Sequence, residues 1–165
     1  MGCPVREATD QQAKLFLTFA GGDLPLVRPV AAAFRQGGAL GLDYAVTSEP
    51  FAAQRSDLIR ASLELRIRRC AAAVCLYGAD TLDDAWVRWT LAAARRLELP
   101  LFGAPLVAGT GEAAALLAGL GIEIVPLRRE AIAQRLAQPP EPLHRSPFTA
   151  ESLAFTWRMM KHPLR

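Results

Sequence analysis

Short apolar runs alternate along this chain with segments whose apolar positions recur every three to four residues, the pattern of strands alternating with amphipathic helices. Lys14-Leu15-Phe16-Leu17-Thr18-Phe19-Ala20 reads as a buried strand that Gly21-Gly22-Asp23 breaks. Leu24, Val27, Val30, Ala31 and Phe34 then predict a helix over 24–36, ending before Gly37-Gly38. Asp23 is its expected N-cap and Pro25 suits its first turn, while Pro29 predicts a kink or a late start. Residues 39–46 give a weaker second strand. Leu58, Ile59, Ser62, Leu63, Arg66 and Ile67 fall in register on a helix over 56–69. Ala71 to Tyr77 is apolar throughout, as a central strand covered on both faces should be. Asp83 or Asp84 starts a helix running to about Leu97. Further on, 100–107 predicts a fourth strand, which Pro105 makes frayed or an edge, 112–120 a short helix, 122–126 a fifth strand and 128–137 a helix. Pro139, Pro140, Pro142 and Pro147 mark an extended linker. A last amphipathic helix spans about 150–161, with Thr149 as N-cap and Leu153, Trp157 and Met160 on one side.

Strands that alternate with helices imply a parallel sheet with right-handed crossovers. The expected fold is a flavodoxin-like three-layer α/β/α domain, with a five-stranded parallel sheet of order 2-1-3-4-5 and a C-terminal helical extension. The organisation follows as a tail over 1–13, the α/β domain over 14–137, the linker over 138–148 and the amphipathic helix over 149–165. In that strand order a crevice opens between strands 1 and 3, and ligands bind at the carboxyl ends of the strands. Three loops border it: Ala20 to Asp23, Thr47 to Arg55, and Gly78 to Trp86.

Composition narrows the class. The 165 residues suit one domain, and 52% hydrophobic with 21% charged residues excludes a disordered chain. No apolar run reaches the roughly 18 residues that span a bilayer, so no membrane partner is expected. The N-terminus has no apolar core of a secretory signal, and Arg6 stands where an acylation pattern wants Ser or Thr. Three cysteines, with no CxxC, fit a reducing cytoplasm, and Cys70 and Cys75 read as small buried hydrophobes. His144 and His162 lie far in sequence from them, so no metal site is expected. The net charge is only +3, and the densest basic run, Arg66, Arg68 and Arg69, reads as a solvated helix face; no nucleic-acid partner is expected.

Three stretches carry a resemblance. Leu15-Phe16-Leu17-Thr18-Phe19 is similar to a first strand of the type FISF. Arg66-Ile67-Arg68-Arg69-Cys70 is followed by Val74-Cys75-Leu76-Tyr77-Gly78-Ala79-Asp80-Thr81, then by Ala85-Trp86-Val87-Arg88-Trp89. This order resembles the I-R-x-S, V-x-L-I-G-x-x-T, S-x-W-V-x-x-E pattern of TIR-like domains, nearest to those of the bacterial Thoeris antiphage system. It covers roughly residues 14–107. The resemblance implies NAD bound in the switch-point crevice and a glutamate, four residues after the tryptophan, that helps cleave the nicotinamide–ribose bond. A carboxylate there stabilises the oxocarbenium-like centre that forms at the ribose. Counting from Trp86, that position is Thr90. A hydroxyl carries no charge, and losing the carboxylate raises the barrier by on the order of several kcal/mol.

The candidate ligand-binding residues are Ala20, Gly21, Gly22, Asp23, Thr47, Ser48, Arg55, Gly78, Trp86 and Thr90, with no catalytic residue assigned. Gly21 and Gly22 leave backbone N–H groups open to a phosphate, or simply make the turn. Trp86 either stacks on a base or packs, and Trp89 packs. Asp83 and Asp84 read as charges at a helix N-terminus, and Glu64 as exposed. The expectation is a TIR-like signalling or scaffold module, catalytically degenerate. It would bind NAD or a related nucleotide, or a TIR-like or effector protein, and would form a homo-oligomer, with no cofactor required. The alternatives are an NAD nucleosidase or cyclic ADP-ribose-type synthase using another acid, and a generic flavodoxin-like nucleotide-binding domain. The C-terminal helix is expected to fold back, because Phe148, Leu153, Phe155, Trp157, Met159 and Met160 are too apolar for a free tail.

Overall fold

A computed structural model describes residues 13–38, 40–47, 50–138 and 148–161. The tail over 1–12, Ser48 and the prolines of the linker lie outside the described residues, as do the side chains of Phe155, Met159 and Met160.

The elements follow the alternation of the sequence. They are β1 (Lys14–Thr18), α1 (Leu24–Gln36), β2 (Gly41–Tyr44), α2 (Ser56–Arg68), β3 (Ala72–Tyr77), α3 (Ala85–Arg96), β4 (Leu101–Pro105), α4 (Gly111–Gly119), β5 (Glu123–Ile124), α5 (Arg129–Ala137) and α6 (Ala150–Lys161). Short 3-10 turns, Gly21–Asp23 and Thr81–Asp83, lead into α1 and α3. All strand pairs are parallel and the order is β2-β1-β3-β4-β5, the expected flavodoxin-like arrangement.

Period-two alternation within the buried strands divides the core. Ala72, Val74 and Leu76 of β3 join Val27 and Phe34 of α1 and Ile132 of α5 on one face. Ala73, Cys75 and Tyr77 face Leu63 and Ile67 of α2, Leu91 of α3 and Leu117 of α4 on the other. All six residues of β3 are buried, which is why its sequence is apolar without alternation. Gly103 of β4 is required by packing: a Cβ there would come within 2.8 Å of Ile124 Cδ1 and 3.2 Å of Leu117 Cδ1.

Several local expectations are corrected. α1 starts on time and runs through Pro29, which lies in its second turn. Asp23 makes no side-chain cap bond, since the preceding 3-10 turn holds its backbone at φ −87°, ψ −2° rather than in the extended form an N-cap needs. β4 is not an edge: it pairs with both β3 and β5 and ends at Pro105. Arg66 is not part of a solvated face. Its guanidinium forms a two-pronged ion pair with Asp43 of β2 and donates to the Tyr44 carbonyl at 2.7 Å, and this bonding raises its pKa further.

α6 folds back on the domain, as its apolar side required. Leu153 and Trp157 are buried against α3 and α4. Thr149 caps it reciprocally with Ser152: each side-chain oxygen accepts from the other's backbone N–H, at 3.1 and 2.9 Å. The Trp157 indole N–H donates to Asp83 Oδ1 at 2.5 Å, tying the extension to the turn before α3. Among the described residues no helix is long and apolar enough to cross a membrane.

Candidate functional site

At the carboxyl ends of β1 and β3 the two following loops are tied together by carboxylates. Asp84 is the N-cap of α3, its Oδ1 accepting from the backbone N–H of Trp86 at 2.8 Å and of Val87 at 3.3 Å. Its Oδ2 accepts from the Gly21 N–H at 3.4 Å, which joins the first loop to the start of α3. Asp23 joins the same two loops from the other side. It accepts from the Thr81 hydroxyl at 3.4 Å, and that hydroxyl accepts from the Gly78 N–H at 2.7 Å. The N–H groups of Gly21 and Gly78 are therefore already used within the protein.

Between these ties lies a cavity of about 30 Å³, lined among others by Thr18, Gly21, Thr47, Asp84, Trp86 and Thr90. It has space on the order of one or two water molecules. Small-molecule sites occupy roughly 300–1,000 Å³. Thr90, in the second turn of α3, is 4% exposed and lines this space. Trp86 stands at the rim, with edge-to-face contacts to Phe51 (centroids 5.0 Å apart) and Trp89 (6.3 Å). Its packing reading is the one the geometry favours.

Gly21, Thr47, Trp86 and Thr90 of the candidate set thus meet at one cavity. The other described candidates do not join them there. Ala20 is half-buried and Gly22 exposed. Asp23 and Gly78 belong to the loop tie. Arg55 is exposed at the start of α2. A Cβ on Gly21 or Gly22 would meet nothing within 4 Å, so neither glycine is kept for a close approach.

Sequence reasoning missed Asp84, which it assigned to the helix dipole; among the described residues Asp84 is the one acidic residue lining the cavity. The signal was its place at the N-cap beside a glycine loop. Glu64 was expected to be exposed. It is half-buried and bridges Arg68 at 3.2 Å and Arg96 at 2.8 Å, linking α2 to α3 outside the cavity. A wider, shallow crevice of about 510 Å³ also escaped sequence reasoning. It lies at the carboxyl ends of β3 and β4, lined by Tyr77, Pro105, Gly109, Thr110 and Gly111 among others. Gly109 sits there at φ +82°, the left-handed backbone that favours glycine. Burial pushes the Tyr77 phenol up, and the Thr110 hydroxyl donates to the Val107 carbonyl at 3.4 Å. Among the described residues no group of three or more His, Cys, Asp or Glu side chains could hold a metal ion.

No family model matches the chain, and no curated protein matches it.

Proposed function

We infer that the chain is a TIR-like signalling or scaffold module of bacterial defence, one that works by contact with a TIR-like or effector protein and does not turn over NAD. The observation carrying this reading is the cavity at Thr90: about 30 Å³, with a neutral hydroxyl where cleavage wants a carboxylate. Asp84, which lines the cavity, already accepts three backbone N–H bonds. A carboxylate so held is a cap and a clamp, and moving it to a ribose would uncap α3.

The test is incubation of the full chain with NAD, reading nicotinamide release. The natural chain is expected to release none above a protein-free blank. Thr90→Glu is expected to gain none either, because a longer, charged side chain does not fit a cavity of that size and lowers stability. Release from the natural chain that Asp84→Asn abolishes would overturn this reading in favour of an NAD-cleaving enzyme.

A further inference from the structure

We propose that α6 is a latch on the switch-point cavity: while it is docked the loops around Thr90 stay closed, and when it leaves they open. The turn before α3 carries both attachments. On one side its residues hold the cavity. The Thr81 hydroxyl donates to Asp23 at 3.4 Å and accepts from the Gly78 N–H at 2.7 Å, and Asp84 accepts from the Gly21 N–H at 3.4 Å. On the other side Asp83 accepts the Trp157 indole N–H at 2.5 Å. Leu82, between Thr81 and Asp83, is fully buried in the same apolar cluster as Leu153 and Trp157 of α6. One short turn thus joins α6 to the loop after β1. α3 touches both as well: its Trp86, Val87 and Thr90 line the cavity, and α6 packs along it.

α6 is built to leave as a unit. It is the last of the described elements, and all five strands and their pairings lie before it, between Lys14 and Ile124. Its departure breaks no sheet hydrogen bond. Its cap bonds run between Thr149 and Ser152, within the extension itself. A helix of 12 residues is marginal alone in water, so α6 is helical because it is docked, and undocking melts it. Terminal units of this kind open at free energies below that of global unfolding. The turn from Thr81 to Asp84 then loses its hold on one side, and the ties to Asp23 and Gly21 are left to close the cavity alone. The latch is independent of whether the chain cleaves NAD. A chain that releases no nicotinamide, and whose cavity opens without regard to α6, would keep the functional reading and overturn this one.

A thiol placed in the cavity reads its opening. Thr90→Cys, close in volume, is made in a Cys3→Ser background. A space of about 30 Å³ excludes a reagent such as methyl methanethiosulfonate until the loops part. Cys75 of β3, 0% exposed, reports global unfolding in the same sample. The introduced thiol should react about tenfold faster than Cys75 or more, because the latch opens below global unfolding. Asp83→Ala and Trp157→Phe should each raise its rate about fivefold, the weight of one hydrogen bond. Together they should do no more than Trp157→Phe alone, since both remove the same bond. Should Trp157→Phe fail to fold, Asp83→Ala decides by itself. An introduced thiol that reacts only as fast as Cys75, whose rate either change leaves unmoved, or on which the two effects multiply, overturns the latch.

Discussion

Asp84 carries more of the site than any other single residue. Its two oxygens hold the first turn of α3 and the loop after β1, so the shape of the cavity depends on it. Asp84→Ala should cost about 1–2 kcal/mol, the usual loss for an N-cap, read from urea denaturation. Asp84→Asn keeps an accepting oxygen and should cost less. The buried thiols give a second expectation. Burial pushes Cys70 from 9.0 up to about 11 and Cys75 up to about 12. The folded state therefore keeps these protons to higher pH than the unfolded chain does. Their stabilising contribution is whole below about pH 9 and is lost as pH rises through 11 and 12. Denaturation midpoints measured from pH 8 upward should fall, and fall less steeply in Cys75→Ala. At residue scale the sequence was readable only in part. The apolar character of Cys75 followed from local pattern, and Thr90 was singled out through the resemblance alone. The roles of Asp84, Asp83, Glu64 and Arg66 did not, because each bonds to a residue distant in the chain, at separations no periodicity records.

The elements themselves were legible. β3 and α3 are strong signals, an unbroken apolar run followed by an acidic cap and helical spacing. The failures lie at element ends. Asp23 looked like a cap but sits in a 3-10 turn, and β5 shrinks to Glu123–Ile124 because short edge strands are defined by pairing, not by composition. Gly103 shows the same limit: a glycine within a strand weakens it on paper, yet β5 and α4 close in over it. Gly103→Val should destabilise by about 1–3 kcal/mol through overpacking against Ile124 and Leu117, visible as a lowered thermal midpoint. The extension is equally specific. Trp157 is 3% exposed and its N–H is bonded to Asp83. Trp157→Ala should cost about 3–5 kcal/mol, whereas Trp157→Phe, which keeps most of the apolar area, should cost about 1 kcal/mol; urea denaturation separates them.

At the scale of the whole molecule, alternating elements were enough to give the parallel sheet and its order, since handedness and short connections leave few arrangements. They also placed the switch point, and residues from three loops do meet there. What the pattern could not show was the volume left between them. Cavity size depends on how Asp84 draws Gly21 inward and how Phe51 and Trp89 hold Trp86, all tertiary contacts. The sheet has the flavodoxin-like order, and the cavity at its switch point holds about 30 Å³.

Incubating the chain with NAD labelled in its nicotinamide ring tests that account most directly. Free labelled nicotinamide should stay at the level of a protein-free control throughout. Steady release, scaling with protein concentration, would contradict it.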